Sequence, residues 1–266
     1  MYEFNYQKAS SVADAAAKLA AAADGKILAG GQTLIAAMKL RLAAPSDLID
    51  LSGIAELRGI RKESGALVIG AMTTHAQIAE SADVAKAIPA LAHLAGGIGD
   101  RMVRNMGTLG GSVANNDPAA DYPAAVLGLG ASIATDRRKI AADEFFTGMY
   151  ETALEAGEIL TSISFPLPKR AGYIKFKNPA SRYAIVGVCV AQTADGVRVA
   201  VTGAGPSVFR LPEMEAALAK KFVPDAVADI KVPADDLSSD IHASAEYRAH
   251  LIKVIAKRAV EQALMV

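Results

Sequence analysis

Thr108, Ser112, Asn115 and Asn116 set four uncharged hydrogen-bonding side chains around Gly110 and Gly111, in the stretch TLGGSVANNDPAADYPAA. A turn needs one or two such residues. Glycines let a backbone approach a ligand closely. Neutral donors suit phosphate and sugar, and the carboxylate of Asp121 accepts from a hydroxyl. An earlier stretch, ILAGGQTLIAAMKL, shares part of this chemistry. There a strand should end at Gly30-Gly31 and a helix begin near Thr33, leaving the first-turn N–H groups free for an anion. Gln32 and Thr33 add side-chain donors. The stretch has neither the lysine of a P-loop nor the G-x-G-x-x-G spacing, so a plain strand-turn-helix competes with it. Together the two loops describe a pyrophosphate-linked ligand carrying a polyol. Two unrelated turns in a chain with 22 glycines are the alternative.

Other chemistries have less support. The single cysteine, Cys189, excludes an intrachain disulfide and any four-thiolate iron–sulfur or zinc site held by this chain alone. Its setting, AIVGVCVA, reads as a buried strand. His75, His93, His242 and His250 show no close metal spacing. Lys+Arg and Asp+Glu are equal at 28, so charge gives no case for a nucleic-acid or anionic-membrane partner. No apolar run approaches the ~18 residues of a spanning helix, and MYEFNYQKAS lacks a signal pattern, so no integral membrane segment and a cytoplasmic location are expected.

The elements that must position these loops follow from periodicity. SVADAAAKLAAAA reads as a helix capped at Ser10 or Ser11. GKILAGGQ is a strand, and TLIAAMKLRL is amphipathic, with Leu34, Ile35, Met38 and Leu42 on one stripe. SDLIDLSGI and GALVIGAMTT are strands. Two helices broken around Pro89 follow, then the strands GASIATD and EILTSISFPLP, with no regular βαβ repeat. Composition changes near PLPKRAG at residues 166–172. Beyond it lie three strands, GYIKFKN, RYAIVGVCVAQT and GVRVAVTGAG. Two helices close the chain, LPEMEAALAKK and SAEYRAHLIKVIAKRAVEQAL; the second carries a stripe of Tyr247, Leu251, Val254, Ile255 and Leu264. The domain division falls near residue 168.

The segments AGGQTLIAAMKLRLAAPSDLIDL and MGTLGGSVANNDPAADYPAAVLGLGA resemble the two FAD-binding motifs of the medium, flavoprotein subunit of molybdenum hydroxylases, the xanthine dehydrogenase/carbon monoxide dehydrogenase family. KNPASRYAIVGV and VTGAGPSVFRLPEME resemble that subunit's C-terminal part, so the likeness covers nearly the whole chain. It implies an α+β fold: a two-part FAD-binding domain of the vanillyl-alcohol oxidase (PCMH) type over residues 1–168, divided near 55. A small C-terminal domain with a three-stranded antiparallel sheet and helices would follow over 169–266. It implies that Ala29, Gly30, Gly31, Gln32, Thr33 and Leu34 wrap the FAD pyrophosphate, and that Gly107, Thr108, Gly111, Ser112, Ala114 and Asn115 continue the cradle. Asp121 would bind the ribityl hydroxyls, and Ile159 and Leu160 would border the adenine. Lys177 would lie near the flavin's pyrimidine edge and Tyr183 beside the isoalloxazine. Ile98 stands where the animal xanthine enzymes carry an aromatic, a departure from an animal-style NAD site.

The same resemblance implies the partners. A large molybdopterin subunit would oxidise the substrate, and a small subunit with two [2Fe–2S] clusters would relay electrons to this chain's FAD. The FAD would pass them to an external electron acceptor. The assembly implied is a dimer of heterotrimers, and no nucleophile or acid–base dyad is expected on this chain. Two other readings are a stand-alone flavin oxidoreductase of the same fold and a flavin-free assembly subunit.

Overall fold

The computed structural model describes residues 1–265. The first fifty residues alternate strand and helix: β1 (Asn5–Lys8), α1 (Val12–Ala21), β2 (Gly25–Leu28), α2 (Leu34–Lys39) and β3 (Asp47–Asp50). The strands run parallel in the order β1-β3-β2. This corrects the expectation of no βαβ regularity. The polar NYQK of β1 has three of its four residues exposed, so no apolar alternation marks it. Ser11 caps α1 by accepting from the Asp14 N–H. Helix α2 is shorter than its pattern. It buries Met38 but ends at Lys39, where Arg41 turns the chain with φ +60° and leaves Leu42 exposed.

A second unit follows: β4 (Ile60–Glu63), β5 (Ala66–Gly70), α3 (His75–Glu80), α4 (Ala82–Ala87), α5 (Pro89–Gly96), α6 (Arg101–Met106), α7 (Leu109–Asn115), α8 (Tyr122–Gly128), β6 (Ser132–Thr135), β7 (Lys139–Ala141), α9 (Ala142–Phe145), β8 (Phe146–Gly148), β9 (Glu151–Thr152) and β10 (Leu160–Pro166). Its five-stranded antiparallel sheet has the order β4-β5-β10-β6-β7. Helices α3–α5 and α8 bury their apolar sides in one core with β5 and β10. The expected pair of helices around Pro89 is three. Ser81 ends one and caps the next by accepting from the Val84 N–H, and Pro89 starts the third.

The last unit holds β11 (Arg170–Lys177), β12 (Ala184–Thr193), β13 (Gly196–Thr202), β14 (Phe209–Arg210), α10 (Pro212–Lys220) and α11 (Ala245–Leu264). Its antiparallel sheet has four strands rather than three. The fourth, paired through Ala200–Arg210 and Val201–Phe209, is two residues long and too short to show a period. Helix α11 buries Leu251, Ile252, Ile255, Ala259 and Val260, whereas Tyr247 and Leu264 of the expected stripe are exposed. Cys189 is buried in β12, and burial pushes its thiol up to about 12.

Candidate functional site

The turn after β2 carries an open set of donors. Among the described residues, no protein group accepts from the N–H of Gly30, Gly31, Gln32, Thr33 or Leu34. Five consecutive N–H groups without acceptors, where a strand runs into a helix, make a cradle for an anion. The loop cannot be rebuilt with larger residues at its tightest point. A Cβ on Gly30 would lie 2.2 Å from the Met106 carbonyl oxygen and 2.7 Å from the Gly107 Cα. The two glycine stretches, 77 positions apart between Gly30 and Gly107, therefore meet backbone to backbone.

The second stretch commits most of its backbone donors to the fold, although the Thr108 N–H, on the cleft side, has no acceptor among the described residues. Thr108 caps α7 and accepts from the Gly111 N–H at 3.1 Å. The Leu109 N–H donates to the Thr73 carbonyl and the Gly110 N–H to that of Ala71. Gly110 serves packing: a Cβ there would stand 2.6 Å from the Ala71 Cβ. The stretch that reads as a loop is thus mostly the helix α7, docked on the end of β5. Helical spacing puts Thr108, Gly111, Ser112 and Asn115 on the side that lines a cleft. That cleft has a volume of about 670 Å³, within the ~300–1,000 Å³ of cofactor sites.

The cleft gathers sixteen of the seventeen sequence-predicted positions; Lys177 is the exception. Tyr173 and Lys175 alternate on the face of β11 that looks at Asp121. The pairing then slips between Phe176 and Lys177, and Lys177 is exposed. The cation near Asp121 is Lys175, with its Nζ 2.9 Å from the carboxylate. Asp121 itself lines the cleft, but its carboxylate is already bonded to the Tyr173 hydroxyl and Lys175. Burial pushes this carboxyl up, against the opposing pull of Lys175 and Tyr173.

One end of the cleft has a tyrosine-rich rim. Tyr183 precedes β12 instead of lying in it, and it is half exposed. Burial, then the charge of Asp117, pushes its hydroxyl above the usual phenol range. Tyr150, in the β8–β9 turn at φ +57°, has its hydroxyl near Asp117. The Gly99 carbonyl is held by both Arg104 and Arg182, at 3.1 and 3.0 Å. His75 closes the inner wall beside Gly107, where a Cβ would meet its Nε2 at 2.5 Å. Sequence reasoning missed Tyr150, Arg182, Asp117 and His75 as lining residues. A positive φ at Tyr150 and Arg182 is the structural signal for two of them, and no local sequence pattern announces it.

The chain matches the family model described as the FAD binding domain in molybdopterin dehydrogenase over residues 2–168. The chain belongs to this family. The CO dehydrogenase flavoprotein C-terminal domain matches residues 171–263. Relatives in the family include the nicotine 6-hydroxylase medium subunit of Paenarthrobacter nicotinovorans, 38% identical over 97% of this chain and 96% of that protein. The carbon monoxide dehydrogenase medium chain of Hydrogenophaga pseudoflava is 35% identical over 98% and 96%. The solved structure of reconstituted CO dehydrogenase from Oligotropha carboxidovorans superposes with a TM-score of 0.90 at 35% identity, covering 98% of each chain. The cleft fits the cofactor of the family. The 30–34 turn offers unaccepted donors for a diphosphate, and side chains larger than hydrogen at Gly30 or Gly111 would collide or fill the space between the loops.

Proposed function

We propose that this chain is the FAD-containing electron-transfer subunit of a molybdenum hydroxylase. It would take electrons from the [2Fe–2S] clusters of a small partner subunit and deliver them to an external acceptor. A large molybdopterin subunit would oxidise the substrate, in a dimer of heterotrimers. The single observation that carries this reading is the run of five unaccepted N–H groups at residues 30–34, facing a cofactor-sized cleft shared with α7. The fold reading that goes with it is a PCMH-type FAD-binding domain over 1–168, divided near residue 55, and a C-terminal domain over 169–266.

When bound, FAD supplies the redox chemistry of this chain. The residues bind, orient and shield it. Ala29, Gly30, Gly31, Gln32, Thr33 and Leu34 would hold the diphosphate through main-chain donors. Gly107, Thr108, Gly111 and Ala114 would shape the opposite wall, and the free side chains of Ser112 and Asn115 would donate to phosphate or sugar oxygens. Asp121 accepts from a hydroxyl with the lone pairs left by Tyr173 and Lys175. Ile159 and Leu160 supply apolar contact for the adenine. Tyr183 would cover the isoalloxazine end, where its ring excludes water. Lys177 is omitted from this set because it faces solvent.

The reading is tested in two steps. The purified chain, mixed with excess FAD and desalted, should retain one equivalent with a flavin absorption spectrum; a colourless chain overturns the proposal. Native purification of tagged chain should then recover an iron–sulfur subunit and a molybdenum-containing subunit. Full substrate turnover by the isolated chain would contradict the electron-transfer role.

A further inference from the structure

Asp121 lies in the cleft wall, yet its carboxylate is committed behind that wall. The Tyr173 hydroxyl donates to one oxygen at 2.5 Å and the Lys175 ammonium to the carboxylate at 2.9 Å. The Lys175 and Asp121 side chains keep 9% and 5% of their exposure. Lys175 does not reach the cleft. Its Cε packs near Gly97, where a Cβ would lie 3.9 Å from it. Tyr173 does not reach the cleft either, and only Asp121 of the three is presented to a ligand. The wall is therefore neutral where it could have been anionic. Buried charges are weakly screened, so either member left alone would, wherever it stays ionised, impose its charge on whatever the cleft holds. A cofactor that gains electrons gains negative charge, and the charge of the wall then weighs differently on its two redox states.

We propose that Lys175 is a positioning residue that neutralises Asp121 and thereby sets the reduction potential of the flavin in the cleft. This rests on the FAD reading above. In this arrangement Lys175 acts only through Asp121. It holds the carboxylate in place and cancels its field, and Tyr173 holds the second contact. Lys177, two residues along the same strand and in solvent, has no part in it.

The test uses the full chain reconstituted with FAD, its potential titrated from the visible spectrum over a range of pH, alkaline for the lone carboxylate and acidic for the lone ammonium, so that each is read while ionised. In Lys175→Met the carboxylate loses its counter-charge. Reduced FAD should then bind about tenfold more weakly relative to oxidised FAD, a shift of about 30 mV to more negative potential for a two-electron couple. Asp121→Asn keeps the ammonium without its partner and should shift the potential in the opposite direction. The double variant should return close to wild type, and Lys175→Arg should stay close to it. Should Lys175→Met fail to fold, the contrast between Asp121→Asn and the double variant still decides. A pair that only supports the fold would lower thermal stability or FAD retention in both single variants without shifts of opposite sign. FAD bound with unchanged potentials, or with both potentials moved the same way, overturns this inference and leaves the cofactor reading standing. A wild-type chain that takes up no FAD overturns both.

Discussion

Gly110 and Gly111 are neighbours with different work. A Cβ on Gly110 would press on the Ala71 Cβ at 2.6 Å and its carbonyl oxygen at 2.8 Å. Gly110→Ala should therefore destabilise the fold by about 1–3 kcal/mol, seen as a lower thermal midpoint in the apo chain. Gly111 faces the space between the loops, where a Cβ would lie 3.3 Å from the Ala29 Cβ and 2.8 Å from the rotatable Thr108 hydroxyl, and not against backbone as at Gly110. Gly111→Leu should fill that space and abolish FAD uptake with a smaller loss of stability. Equal loss of folding in both would remove the distinction. Tyr183 makes a second prediction at this scale. Its half-exposed ring stands at the cleft rim near Asp117. Tyr183→Ala should keep FAD but change the rate at which different acceptors reoxidise reduced flavin, and Tyr183→Phe, which keeps the ring, should change it less. Stopped-flow traces matching wild type with every acceptor would leave Tyr183 a packing residue.

The element that most needs tertiary help is the β8–β9 hairpin, which carries Tyr150 to the cleft. Strands of three and two residues do not persist alone. Asn116, at the end of α7, holds the hairpin. It sits in the left-handed region at φ +43°, and its Nδ2 donates to the carbonyls of Gly148 and Glu151 at 2.8 Å and to the Ser207 hydroxyl at 3.3 Å. Asn116→Gly keeps the backbone conformation and removes the clasp. It should cost about 1–2 kcal/mol, from the loss of part-buried hydrogen bonds to these carbonyls. Hydrogen exchange should accelerate selectively across residues 146–152, and uniform exchange would show that the clasp is dispensable. The Leu109–Asn115 helix gives the same lesson in reverse. Its glycine pair reads as a loop because glycine weakens helices, but docking on Ala71 and the Thr108 cap outweigh that cost.

At the scale of the whole molecule, stability should fall in two stages as the solution is acidified. Burial, with the Arg104 charge beside it, holds His75 down at about 4, and its neighbour in ring contact is Tyr122. An unfolded imidazole titrates near ~6.5. Between these values the unfolded chain binds a proton that the folded chain refuses, so stability drops as pH falls from about 6.5 to 4. Glu158 acts lower. Hydrogen bonding from Arg138 above all, with the Glu155 N–H and Thr135 helping, brings its carboxyl to about 2. Its contribution is whole above the unfolded carboxylate range near ~4.3 and disappears as pH falls through the folded value. Urea unfolding of the apo chain should show about 2–3 kcal/mol lost between neutral pH and pH ~4.5. His75→Gln should flatten that first stage and leave the lower one. An unchanged first stage in His75→Gln would assign it to other groups.

The local chemistry was legible in the amino-acid sequence. The glycine pairs with their neutral donors marked the two walls of the cleft. The strong apolar runs gave β5, β10, β12 and β13, and Ser11 gave the start of α1. These signals are local because backbone freedom, capping and side-chain periodicity act over a few residues. What depended on distant partners was decided by the tertiary structure. The polar β1 exists because β3 supplies its hydrogen bonds. Lys175 rather than Lys177 reaches Asp121 because pairing with β12 slips after Phe176. Gly30 meets Gly107, and Asn116 holds the Tyr150 hairpin, only once three separate segments have been packed together. A sequence states which residues can donate, accept or bend. Which of them face one another is set by strand register and core packing, whose energies are summed over the whole chain.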